Sequence, residues 1–215
     1  MTQIFDSLEM KRCFGCNAKG LYFCTKCIAG FNPGSRLLSK GLTLTTVSQH
    51  NPAMMRAISG WKDRHLKGLT LRFADLLTDQ QGLLGGFDRV QILTPPSRKN
   101  SFSKRGFNPV SDLAAELTRR NPKFVFDIAA TNFNWQPKDQ RGLDLHLRRT
   151  NLVGAMRVSP RPNLPSLFLD DVWTSGSTIR ELVRALPLES EVVGIWVLAT
   201  AYKLGTKDSW KIAKP

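Results

Sequence analysis

The chain has 215 residues, 41% of them hydrophobic, which suits one main domain with a real core plus a small appendage. Lysine and arginine number 31 against 17 aspartates and glutamates, a formal charge of +14, which favours a polyanionic partner: nucleic acid, an anionic membrane surface or a phosphorylated substrate. No apolar run approaches the roughly 20 residues needed to span a bilayer, and Met1 to Met10 carries Asp6 and Glu9 instead of a signal-peptide core, so no membrane insertion and a cytoplasmic location are expected.

All four cysteines fall near the start, as Cys13-x2-Cys16-x7-Cys24-x2-Cys27. Two C-x-x-C pairs can each grip one side of a tetrahedral ion, and thiolates suit zinc. Two disulfides or a redox pair are the alternatives; without a secretory signal, structural zinc is expected. Four protein thiolates leave no position open for catalysis. The expected organisation is a zinc-binding module over residues 1–35 and a main domain over 36–215, with Phe31 to Gly34 as the linker turn.

Further along, residues 52–80 read as two amphipathic helical pieces broken near Gly68. Met54, Met55, Ile58 and Trp61 form one face, and Leu71, Phe73, Leu76 and Leu77 another. Asp88 to Thr94 reads as a strand, Pro95 to Phe107 as a loop, Ser111 to Arg120 as a helix and Phe124 to Ala129 as a strand. The loop carries Arg98, Lys99, Lys104 and Arg105 with no acid. Residues 134–150 are polar and basic with weak periodicity. Val192 to Leu198 reads as a buried strand, and Lys203 to Pro215 as a basic tail. Strands alternating with helices predict an α/β fold with a mostly parallel sheet and helices on both faces. In such a sheet ligands sit beyond the carboxyl ends of strands, so the basic loop and the acids described next are expected to face one crevice.

The densest signal is Leu167 to Ile179, read here as an apolar strand over Ser166 to Leu169 closed by Asp170 and Asp171. A turn of Thr174, Ser175, Gly176, Ser177 and Thr178 follows. A helix comes next, with Ile179, Leu182, Val183 and Leu186 at helical spacing. Free backbone N–H groups, hydroxyls and the positive helix end converge there, an arrangement that suits a phosphate. Paired carboxylates beside it suit sugar hydroxyls. Together they describe a ribose 5-phosphate.

This stretch resembles the phosphoribosyl pyrophosphate (PRPP) loop of type I phosphoribosyltransferases. The resemblance implies that Asp170 and Asp171 hold the ribose 2′- and 3′-hydroxyls and that Thr174 to Thr178 wrap the 5′-phosphate. Trp173 departs from it, standing where the family usually carries a smaller aliphatic residue. Two further segments precede the loop in order: Ser97 to Lys99 with Arg105 to Asn108, then Gln140 to Leu143 with Arg148 and Asn151 to Ala155. Behind a four-cysteine knuckle, this order resembles the ComF/GntX family. Its members are zinc-bearing, phosphoribosyltransferase-like proteins linked to natural competence and DNA uptake. The resemblance covers nearly the whole chain except the tail. Trp61-Lys62 matches the family's basic helix in outline. Departures are Leu93 for the first of two spaced prolines, Pro109 where glutamine is usual, and Asp144 and Leu147 for serine and glutamate.

The resemblance implies a type I phosphoribosyltransferase-like fold and a PRPP site that takes Mg²⁺ with its ligand, with Arg98, Lys99 and Arg105 at the pyrophosphate. It also implies single-stranded DNA and DNA-uptake proteins as partners. Whether the chain catalyses transfer stays open. A phosphoribosyl transfer needs a base held over the ribose, and no dedicated hood for one is legible. His50, His65 and His146 are scattered, with no catalytic constellation. A competence protein that handles incoming single strands is one reading; an active salvage transferase is the other. Phe102, Phe107 and Trp135, close to basic residues, suit base stacking in the first.

Overall fold

The computed structural model describes residues 12–38, 42–79, 84, 86–135, 137 and 152–204; within these, the side chains of residues 99 and 100 are excepted. The Gln140 to Asn151 segment, His146 and the tail from residue 205 lie outside the described residues. Among the described residues the fold is α/β, with a six-stranded sheet and helices packed on it.

The strands are β1 (Gly34–Leu37), β2 (Thr43–Gln49), β3 (Val90–Leu93), β4 (Phe124–Phe126), β5 (Thr131–Phe133), β6 (Met156–Val158), β7 (Ser166–Trp173) and β8 (Val192–Thr200). The helices are α1 (Thr25–Ala29), α2 (Pro52–Asp63), α3 (Leu69–Thr78), α4 (Lys99–Arg105), α5 (Pro109–Arg120) and α6 (Ser177–Ala185). The main sheet runs β1-β2-β8-β7-β3-β4, parallel throughout except for the antiparallel β1–β2 pair at one edge. β5 and β6 form a separate antiparallel pair.

β7 and β8 are central and covered on both faces, which is why their apolar runs are continuous and not alternating with polar residues. Successive side chains go to opposite cores. Leu167, Leu169, Trp196 and Leu198 join one core with α2, α3 and α5, whereas Phe168, Ile195 and Val197 join the other with α6, β5 and β6. The cysteine segment adds to the first core through Phe23, which is fully buried edge-on to Phe31 at 5.0 Å.

Two helices start on the same local device. Asn51 accepts from the N–H groups of Ala53 and Met54 at 2.9 and 3.2 Å, ahead of Pro52 in the first turn of α2. Asn108 does the same for Ser111, ahead of Pro109. A cap acceptor followed by proline satisfies or removes the donors a helix start leaves unpaired.

Several expectations are corrected. The Pro95 to Phe107 loop contains α4, ended by Gly106 in the left-handed region (φ 65°), whose N–H donates to Phe102 O at 2.7 Å. The strand expected to close at the acidic pair runs on to Trp173, because β8 pairs with it through Trp173↔Thr200. The strand expected to reach Ala129 ends at Phe126, followed by a 3₁₀ turn over Ile128–Ala130. Gly34, placed in a linker, opens β1. Leu71 is exposed: it stands two positions from Leu69 and Phe73, about 200° around α3 from each.

Candidate functional site

The four cysteines come together. Arg12 and Lys19 bridge across a tight first knuckle, in which Cys13 N–H donates to Ala18 O at 2.9 Å and Asn17 takes a left-handed φ of 63°. Cys24 precedes α1 and Cys27 lies within it. All four sulfurs lie within 4.8 Å of one another and all four cysteines are free. Cys13 Sγ and Cys16 Sγ stand 3.8 and 3.7 Å from Cys24 Sγ. A tetrahedral ion with metal–sulfur bonds of about 2.3 Å has sulfur–sulfur edges of about 3.8 Å, so these donors can hold a metal ion such as zinc.

The surroundings fit that use. Burial pushes the Cys13 thiol up, but backbone N–H groups of Cys24, Cys16 and Gly15 aimed at its sulfur bring it down to about 6. Cys27 is pushed up to about 12, chiefly by hydrogen bonding to Cys13 and Cys24 and then by burial. Gly15 lies so close that a Cβ there would sit 2.4 Å from Cys27 Sγ.

The second site lies where the strand order reverses. From β3 the chain moves to β4 on one side, while β7 pairs on the other. Loops leaving β3 and β7 diverge there and open a crevice beyond the carboxyl ends of both strands. Its volume is about 870 Å³. α2 contributes Met55, Ile58, Ser59, Lys62 and Asp63; the basic loop and α4 contribute Arg98, Ser101, Lys104 and Arg105; β7 contributes Asp170 and Asp171, followed by Thr174.

Asp171 continues the face of Leu167 and Leu169 toward α2, where Lys62 Nζ donates to its Oδ2. Its own N–H donates to Asp170 Oδ1 at 2.8 Å. Burial works against charge on both carboxyls, but the outcomes differ. The Lys62 ammonium holds Asp171 below the usual carboxylate range. Asp170 is driven well above it, by burial first and then by the charge of Asp171. Burial also opposes charge on Lys62, yet the attraction of Asp171 leaves it above the usual lysine value. The pair therefore favours one charge and one proton over two charges.

Arg105 pairs with Asp63 at 3.2 Å, and its carbonyl accepts from His65 Nδ1 at 3.0 Å. The end of α2 is thus tied to the end of α4. Lys67 lies over the Phe107 ring at 5.2 Å.

Of the residues singled out from sequence, Asp170, Asp171, Thr174, Arg98 and Arg105 line this crevice. Ser175 and Gly176 form the turn into α6, whereas Ser177 and Thr178, expected in that turn, open the helix itself, and none of these four lines the crevice. Gly176 takes φ 68°, and Ser175 Oγ donates to Ser177 Oγ at 3.0 Å, so these two hydroxyls are engaged with each other. Lys99 opens α4, and its side chain is outside the described part. Trp173 does not enter the crevice; it is buried in the core on the α6 face. Of the three aromatics considered for base stacking, Phe102 and Trp135 are half-exposed, but Phe107 is buried among apolar residues.

Sequence reading did not assign Lys62, Asp63 or Ser59 to the site. Met55, Ile58, Ser59 and Lys62 share one helical face beside the buried stripe of Met54, Ile58 and Trp61, but Ser59 on that face is polar and exposed, so the pattern gives Lys62 no mark of its own.

No protein-family model matches the chain, and no curated protein matches it.

Proposed function

We propose that this chain is a ComF-like protein with a type I phosphoribosyltransferase-type site for PRPP, acting in the cytoplasm on incoming single-stranded DNA. One observation carries the reading. Across a single crevice at the strand-order reversal, an acidic pair on β7 faces Arg98, Lys104 and Arg105 from the loop after β3. Carboxylates accept from ribose hydroxyls, and the amides of Thr174 to Thr178 with the start of α6 suit the 5′-phosphate. The basic loop suits the pyrophosphate. Mg²⁺ arriving with PRPP would supply charge neutralisation at the pyrophosphate, and Asp63, Asp170 and Asp171 are the carboxyl groups that line the crevice. The four-cysteine module holds structural zinc and leaves no coordination position for substrate. The +14 charge supports contact with single-stranded DNA and, through it, with a DNA-uptake machine.

The crevice volume supports a second reading, an active phosphoribosyltransferase of nucleotide salvage. About 870 Å³ falls within the usual size of a small-molecule site and exceeds what a ribose phosphate alone would fill.

Calorimetry with PRPP and Mg²⁺, repeated with single-stranded DNA, tests the first reading. Saturable binding of both ligands is expected, and no PRPP binding refutes it. Pyrophosphate release from PRPP in the presence of one nucleobase of a panel would move the conclusion to the second reading.

A further inference from the structure

The crevice contains a cation that comes from neither the phosphate turn nor the basic loop. Lys62, in the last turn of α2, donates to Asp171 across 109 positions of sequence. Both ends of this contact are held by the scaffold. Trp61, next to Lys62, is fully buried, donates its indole N–H to Thr70 Oγ1 at 2.9 Å and packs edge-on against Phe73 at 5.0 Å. Asp171 lies between Asp170 and Val172, which pair with Val197 and Ala199 of β8. The following residue, Asp63, holds Arg105. The end of α2 therefore places a cation on the acids of β7 and an acid on the basic segment opposite.

A phosphorylated sugar brought beside this acidic pair meets like charge on Asp171, and that repulsion is stronger in a partly dry crevice than in water. A cation must stand between them. We infer that Lys62 is a positioning residue for the ligand, a built-in cation that orients Asp171 toward sugar hydroxyls and screens the carboxylate pair from the ligand's phosphates. This rests on reading the crevice as a PRPP-type site. It goes further in one respect: Lys62 and a divalent ion become partly interchangeable, so the parent protein binds PRPP with a shallower Mg²⁺ dependence than a variant without the lysine.

The test is PRPP calorimetry on full-length protein across a Mg²⁺ series from zero to saturation, with Lys62→Met and Lys62→Arg beside the parent. Without Mg²⁺, Lys62→Met is expected to bind at least tenfold more weakly than parent. Saturating Mg²⁺ should recover most of that loss, and Lys62→Arg should stay within about threefold of parent. Parent-like binding by Lys62→Met at every Mg²⁺ level overturns the inference. So does a loss that Mg²⁺ leaves untouched and Lys62→Arg shares, which is the signature of a purely structural role. Should Lys62→Met not fold, lysine acetylation mapped by mass spectrometry in the parent decides. Saturating PRPP should change Lys62 labelling at least threefold, and unchanged labelling overturns the inference. A parent that binds no PRPP refutes the proposed function as well, whereas a binding parent with an indifferent Lys62 refutes this inference alone.

Discussion

Replacing Lys62 by methionine should cost stability in a pH-dependent way, and the size follows from the surroundings. The Lys62 side chain is 30% exposed and that of Asp171 only 10%. Methionine keeps most of the stem packing and removes the charge, leaving the Asp171 carboxylate without its closest cation. Breaking one half of a well-buried ion pair costs about 3–5 kcal/mol, and the partial exposure of Lys62 argues for about 3 at pH 7. The chain has an escape, which is to fold with Asp171 protonated. That costs about 1.4 kcal/mol for each pH unit above an unfolded value of ~3.9, so it caps the loss near 4 kcal/mol at pH 7 and near 1.5 at pH 5. The sign is fixed by the depressed Asp171 value. Its contribution in the parent is present above the unfolded carboxylate pKa and is lost as pH falls through the folded one. The difference between parent and variant should therefore shrink on acidification. Adding Asp171→Asn to Lys62→Met should recover about 2 kcal/mol, since no lone buried charge remains. Urea unfolding of the three proteins at both pH values, with zinc held saturating, measures all of this. A Lys62→Met loss under about 0.5 kcal/mol at pH 7, or an equal loss at pH 5, would refute the reasoning.

Other outcomes are equally specific. Elemental analysis should find about one metal ion per chain, and chelation should unfold the cysteine module, since such binding supplies on the order of 10 kcal/mol of folding free energy. Gly15→Ala should lower metal content, because its Cβ would stand 2.4 Å from Cys27 Sγ. Asp170→Ala with Asp171→Ala should weaken PRPP binding by about 2–4 kcal/mol in calorimetry, with the two losses not additive. Single-stranded DNA affinity should fall with salt at a log–log slope near −3 if about four phosphates are neutralised, and replacing Arg98, Lys99, Lys104 and Arg105 by alanine should flatten it. Glu116 is held down to about 2, by hydrogen bonding to Arg119 first and then, against burial, by Arg120. Its contribution is present above the unfolded glutamate value and lost as pH falls toward 2. Because Arg119 is largely exposed, Glu116→Gln should cost only about 1 kcal/mol in urea at pH 7, a gap that closes at low pH.

What was legible in the sequence was local. Two C-x-x-C pairs mark a candidate metal knuckle because each pair spans a single turn of chain. The continuous apolar run of β8 marks a strand covered on both faces, and the periodic residues of α2 mark a helix. The acidic pair and the hydroxyl-rich segment after it were visible because one contiguous stretch, Asp170 to Thr178, carries them. The Thr- and Ser-rich β2 gave no such signal. Thr45, Thr46 and Ser48 are buried there, with the Thr45 and Thr46 hydroxyls in hydrogen bonds of their own, so hydropathy does not betray the strand. The tertiary structure alone decided the rest. The order β2-β8-β7-β3-β4 creates the crevice, and strand order depends on which apolar faces pack together over long separations. Packing also turns Trp173 and Phe107 inward. The Lys62–Asp171 pair joins residues 109 positions apart, and no periodicity carries information over that distance. A lysine that ends a helix and an aspartate that ends an apolar run each look solvated in sequence; only the docking of α2 over the end of β7 makes them partners.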